Sequence, residues 1–447
     1  MNKETYLKAY LSTFPKNSMK HFFNRIYIIL FNLQSKIAFY PSVFAILGFL
    51  FAFILIYIEN KGISKYLIEH IPMLVVNNGN TALSILTACI TGLISMMVFS
   101  FSMVMVLLNQ ASSNYSPRLL PGLISDKNHQ IILGIYLATI LYCIFVAVSI
   151  QPEGDSHQIP GFSVLVGIIL TVICIGSFIY FIHNISQSIQ INNILDRIFR
   201  QAKSRLNLLV KNEKKEVQDF PETKNWYEYH SQESGYFQNL SSKNLLDICK
   251  EKETQIEILP VKGIFILNGI PLFKSKKELD EETIKKVLSN FSLARGELVS
   301  TNYVLAFKQI TEVIVKAMSP GINDPGTALN AIDYLTELLA LRMQKKDTEF
   351  LKTEDQVLIK MRSVDFKELL YQVLAPIRAY CKHDIIIVQK VGMLFYYLKN
   401  QKAIHKDYYK IIDNEAKNFL TDAKSTIENK ADVAKITAIE NQLNLKN

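Results

Sequence analysis

The sequence predicts a membrane all-α domain of four transmembrane helices, plus a cytoplasmic α+β domain that is mostly helical with a small β unit. Three observations carry this. Four runs within residues 41–184 are long, apolar and free of acidic or basic side chains over most of their length. Lysine and arginine crowd alternate ends of those runs. Beyond them the hydrophobic period changes, first to short β-prone runs and then to amphipathic helices.

The spans are expected at Pro41–Ile58, across the stretch from Ser84, at Ile131–Ile150 and at Phe162–Ile182. Orientation follows from the basic residues. The N-terminal segment carries Lys3, Lys8, Lys16, Lys20, Arg25 and Lys36 against Glu4. Arg118 and Lys127 flank the second loop, and Arg197, Arg200, Lys203 and Arg205 follow the fourth span. The other two loops are neutral or acidic, with Glu153 and Asp155 in the second of them. Both ends are therefore expected in the cytoplasm.

Composition narrows the class. At 447 residues there is room for a membrane domain and a sizeable soluble one, and 49% hydrophobic residues suits that mixture. The net charge of +9 sits largely beside apolar spans. It points to anionic lipid as the partner and not to nucleic acid. Cys89, Cys143 and Cys174 lie inside apolar runs, while Cys249 and Cys381 are isolated. Neither a disulfide framework nor a metal centre is indicated, and no cofactor is expected.

In chain order, residues 1–40 form a basic segment able to lie on the membrane surface as an interfacial helix. The transmembrane domain covers 41–184, and a helical stalk suited to subunit pairing covers 185–215. A small β-rich unit occupies 216–280, in which Asn268-Gly269 reads as the turn of a strand–turn–strand. Residues 281–447 form a helical cytoplasmic domain.

The second span is not uniformly apolar. At about 100° per residue, Ser84, Thr87, Thr91, Ser95, Ser102, Asn109 and Ser113 fall within an arc of about 80°. The opposite face carries Leu86, Leu93, Met96, Met103 and Leu107, with Gly92 and Ser100 as exceptions. The stripe is about 45 Å long if helical throughout, which exceeds the apolar core. Two readings stay open. Small hydroxyl residues let neighbouring helices approach closely, or the stripe lines a hydrated path through a homo-oligomer. Gln110, Asn114, Pro117 and Arg118 would then form a collar at its cytoplasmic mouth. Arg118 there either anchors lipid phosphate or favours anions over cations.

Ser319-Pro320-Gly321-Ile322-Asn323-Asp324-Pro325 joins two helices. Asp324 suits a helix N-cap, Pro325 the first turn, and Gly321 the close of the preceding helix. The same residues present free amides to an anion or oxygens to a cation. No general base lies nearby in sequence. The chain has no P-loop, GxSxG, HExxH or dinucleotide fingerprint, so catalysis has no positive support.

Four segments together resemble one bacterial membrane-protein family, catalogued as domain of unknown function 2254. They are Gln110-Ala-Ser-Ser-Asn114-Tyr-Ser116-Pro117-Arg118-Leu119-Leu120, Asn128-His129-Gln130-Ile131-Ile132-Leu133-Gly134, Ser234-Gly235-Tyr236-Phe237-Gln238 and Ala317-Met318-Ser319-Pro320-Gly321-Ile322-Asn323-Asp324-Pro325. The chain departs from the family at Ser300-Thr301-Asn302-Tyr303, where members usually carry acidic residues. The resemblance implies a multi-pass protein of the bacterial inner membrane and brings no established activity.

Three functions fit this reading: an oligomeric channel regulated by the cytoplasmic domain, a membrane-anchored sensor or scaffold, and an enzyme acting at the SPGINDP turn. An ion or a small anionic ligand would be the partner beside lipid and further copies of the chain. The topology is tested by a reporter fused after Asn447. A cytoplasm-active reporter is expected to work there. Activity only from a periplasmic reporter would overturn the orientation.

Overall fold

A computed structural model describes residues 39–70, 75–76, 78–114, 127–150, 160–188, 190–213, 220–294, 302–353 and 356–445. The N-terminal segment expected to form an interfacial helix lies outside them, apart from its last two residues. The described residues fall into two compact units that divide near residue 190.

The first unit holds α1 (Phe39–Glu59), α2 (Ile63–His70), α3 (Gly79–Asn114), α4 (Lys127–Ser149) and α5 (Gly161–Ser188). Four of these, α1, α3, α4 and α5, are long and apolar enough to cross a membrane. Each extends somewhat past its purely apolar run, because helical hydrogen bonding continues into polar flanks. The helix is forced here, since hydrocarbon offers the backbone no other partner.

α4 is the most enclosed span. α1 crosses it at Gly48, where an added Cβ would meet the backbone oxygen of Ala138 at 2.4 Å. Only a residue without a side chain permits that approach. Ala52, Leu55, Leu86, Tyr142, Cys143, Val146 and Val164 fill the core between the helices. α3 joins it through Ala82 and Leu86, and farther along sets Phe99 edge-on to Phe178, ring centroids 5.8 Å apart.

The second unit begins with α6 (Ile191–Glu213). Sequence periodicity reads this stretch as a continuation of the last span into a pairing stalk. Instead α5 ends at Ser188, and the apolar face of α6 is spent within its own unit. Ile194, Leu195, Ile198, Ala202 and Leu206 are buried against α9 (Tyr303–Ala317) and α10 (Pro325–Arg342).

Among the described residues eight strands follow, in two sheets. β1 (Tyr227–His230), β3 (Ile256–Ile258), β5 (Pro271–Ser275), β7 (Thr348–Lys352) and β8 (Val357–Arg362) form a sheet of order β1-β5-β3-β8-β7. Only its β3–β8 pair is parallel. β2 (Gly235–Leu240), β4 (Phe265–Ile266) and β6 (Phe291–Ala294) form an antiparallel sheet of order β4-β2-β6. Gly269 does turn, with φ of +84°, but β4 and β5 on either side of it belong to different sheets. The expected hairpin is thus a crossover. Phe237, Ile256, Ile258, Phe273 and Ile359 pack the shared core, with α7 (Ser242–Glu251) and α8 (Glu281–Leu288) at its edge. β6, β7 and β8 all fall within the part expected to be helical, so the β unit extends well past residue 280.

The remaining helices are α11 (Phe366–Cys381), α12 (Ile385–Lys399), α13 (Asp407–Thr426) and α14 (Lys430–Gln442). Their starts are set by side-chain caps at Asp365, Asp384 and Asn429, except α13, which has none. α9 packs against α6, α10 and α11, with Phe307, Ile310 and Ile314 fully buried.

Gly48→Val is expected to lower both the melting temperature and the yield of monodisperse protein in detergent, an overpacking cost of about 1–3 kcal/mol or more. Gly176→Ala, at a position with open space around it, should lower neither. A Gly48→Val protein as stable as wild type would show that the α1–α4 crossing is wrongly placed.

Candidate functional site

The polar stripe of α3 faces away from the other spans. Ser84, Thr87, Thr91, Ser95, Ser102 and Asn109 are all exposed in the single chain, and so is Gln110. Leu86 and Leu93 on the opposite face are fully buried, and Leu107 nearly so. Ser113 and Asn114 belong to the last turn of α3. Their side chains, with Pro117 and Arg118 of the expected collar, lie outside the described residues.

Three stripe hydroxyls satisfy themselves. Ser84 Oγ donates to the Asn80 carbonyl at 2.8 Å, Ser95 to Thr91 at 2.9 Å and Ser102 to Val98 at 3.0 Å. Such bonds to the preceding turn remove most of the cost of placing a hydroxyl in an apolar setting. Ser100 behaves oppositely. It is fully buried, with its hydroxyl facing that of Tyr136.

One cluster in the membrane unit escaped sequence reasoning. Glu59, at the end of α1, accepts from Ser64 and, at 3.2 Å, from Ser163. Ser64 Oγ in turn accepts from the Phe162 amide at 2.9 Å, and Tyr142 OH donates to the Ser163 carbonyl at 2.8 Å. These bonds tie the ends of α1, α2 and α5 to α4. A single glutamate just past an apolar run reads as an ordinary interfacial charge, so the sequence held no signal of it.

The SPGINDP turn is built around its own backbone. Ser319 O accepts from the Ile322 amide at 3.0 Å and from Asn323 at 2.9 Å, and Asp324 N donates to the Ala317 carbonyl at 2.8 Å. The left-handed residue is Asn323, with φ of +47°, and not Gly321, which has open space around it. Asparagine tolerates that conformation better than other side-chain-bearing residues. Pro320 completes the turn and Pro325 opens α10.

Asp324 spends both carboxylate oxygens on Thr327, accepting its amide at 3.0 Å and its hydroxyl at 2.6 Å. Those two bonds hold its carboxyl below the ordinary aspartate range. The cap's stabilisation is therefore complete above the unfolded pKa and is lost only as pH falls through the lowered one. Because the cap already supplies a negative charge, the start of α10 has little to offer a second anion. The neighbouring groove is of mixed character, with Ile191, Val313, Ala317 and Ile322 beside Asp324 and Thr327. Among the described residues no group of three or more His, Cys, Asp or Glu is placed to hold a metal ion.

Two uncharacterized proteins, one from Mycobacterium bovis and one from Mycobacterium tuberculosis, are each 22% identical over 247 residues, covering 53% of this chain and 47% of theirs. The chain thus spans about half the length of the curated relatives it matches. No solved structure matches it significantly. The pattern of the family described as predicted membrane protein, domain of unknown function 2254, matches residues 34–395. With that match over most of its length and four helices apolar enough to span a bilayer, the chain belongs to this family of membrane proteins.

Proposed function

We propose that the protein is a homo-oligomeric permeation pathway of the bacterial inner membrane, its stripe helices lining a hydrated route and its second unit regulating the assembly from the cytoplasm. The observation that carries this is the outward face of α3. Among the described residues the stripe from Ser84 to Asn109 is exposed, while Ser100 and Leu93 are buried on the other side. A row of hydroxyls turned away from its own bundle serves little purpose against lipid tails. Against the same row of other copies it makes a path of hydroxyl and carbonyl oxygens. The collar at Gln110 and Arg118 would set the charge preference of its mouth.

A second reading draws on the self-bonded Ser84, Ser95 and Ser102. Those hydroxyls need no water, so the stripe also suits a dry contact that holds copies together in a scaffold or sensor.

Single cysteines separate the two, in a background lacking the native cysteines. Ser95→Cys and Ser102→Cys are expected to react with a membrane-impermeant thiol reagent, and Ser100→Cys to react at least about tenfold more slowly, as its buried position requires. Inertness at all three sites, with loss of assembly in Ser95→Leu, would establish the dry contact instead. Reaction at 100 with silence at 95 and 102 would contradict both.

A further inference from the structure

We propose that the pocket between α6, the loop after β3 and the end of β8 binds a phosphate-bearing ligand. The pocket lies wholly within the second unit and stands independently of the stripe. Arg205 of α6, Lys262 of the loop and Arg362 of β8 line it together, with Tyr303 and Glu349. They come from three remote parts of the sequence, so their convergence is a product of the fold and not of a local basic run.

Among the described residues the charges in this pocket do not balance. Glu349 is the one acid that lines it, and it is engaged by the fully buried ammonium of Lys345 at 3.1 Å. Lys262 meets the Asn239 amide oxygen at 3.4 Å. Arg205 Nε is buried with no hydrogen-bond partner among the described residues. Tyr303, 5% exposed, likewise keeps a buried hydroxyl without one. It also adjoins the buried guanidinium of Arg342, which adds to the positive surroundings. Burial pushes the Lys262 ammonium below its usual range; Glu349 pulls it back and Arg205 pushes it down again.

Three cations held around one concavity repel one another, and unpaired donors in a partly dry site are unfavourable. An oxyanion resolves both. Guanidinium groups offer paired N–H donors that match phosphate oxygens, and a lysine adds a point charge. The enclosed space is only about 20 Å³, so it can seat phosphate oxygens alone, and the carbon part of a phosphate ester would lie outside it, along the apolar side given by Leu209 and Val261. The ligand class is therefore a phosphate ester, either free in solution or the headgroup of an acidic phospholipid.

The full-length protein tests this in two media. In detergent, inorganic phosphate and glycerol 3-phosphate are titrated against chloride at matched ionic strength, with melting temperature and calorimetric affinity as readouts. In nanodiscs, phosphatidic acid is compared with phosphatidylcholine. A phosphate-dependent rise in melting temperature is expected in at least one medium. A rise with soluble esters assigns a free metabolite, and a rise only with phosphatidic acid assigns the lipid. Arg205→Gln should weaken binding at least about tenfold by removing a charge-assisted contact. It should not lower the melting temperature of the ligand-free protein, because it relieves repulsion. Arg362→Gln, at an exposed position, is the second variant, with the same expectation, should Arg205→Gln fail to fold. No phosphate-dependent change in either medium, or equal changes in wild type and the folded variant, would overturn the proposal.

Discussion

Hydrocarbon gives a polar group nothing to bond to, and the membrane unit is arranged around that deficit. Backbone groups meet it by forming helices. Side chains meet it in two ways. Ser84, Ser95, Ser102, Thr171 and Ser177 each donate to the carbonyl of the preceding turn, so they carry their partner with them. Glu59, Ser64, Ser163 and Tyr142 instead pool their donors and acceptors at one end of the bundle. The glycine contact of Gly48 with Ala138 lets α1 and α4 approach closely enough for this arrangement to close. α3 is the exception. It lends only one face to the bundle and leaves a polar stripe outside, which directs attention to what lies beyond the single chain.

The second unit handles charge differently. Arg342 is fully buried, yet it donates to the carbonyls of Lys345 and Val364, each at 2.7 Å, and pairs with Asp347. Lys345, equally buried, pairs with Glu349 and donates to the Lys346 carbonyl at 2.9 Å. Removing one member of such a network strands the other, at a cost of about 3–5 kcal/mol. The network joins the end of α10 to β7 and the start of α11. Through Lys345 it also engages Glu349, the one carboxylate among the described residues that line the neighbouring pocket.

The spans were legible because about 20 consecutive apolar residues leave few other outcomes. The late helices were legible because Asp324, Asp365, Asp384 and Asn429 announce their starts. Short strands between helices were not. β6, β7 and β8 are only 4, 5 and 6 residues long; β7 and β8 pair with each other, but β6 is held by the remote β2 and β8 by the remote β3. Asn268-Gly269 marked a turn correctly, but a turn signal does not say whether its flanks pair with each other. The stripe could be read from helical spacing alone. The pocket of Arg205, Lys262 and Arg362 could not, because no local pattern links residues that only tertiary structure brings together.

The central claim is that the α3 stripe faces water between copies of the chain. A structure of the full-length protein in lipid nanodiscs tests it most directly. The predicted result is a closed homo-oligomer in which Ser95 and Ser102 of every copy face a solvated axis. A monomer, or an assembly with that stripe turned toward lipid, would contradict it.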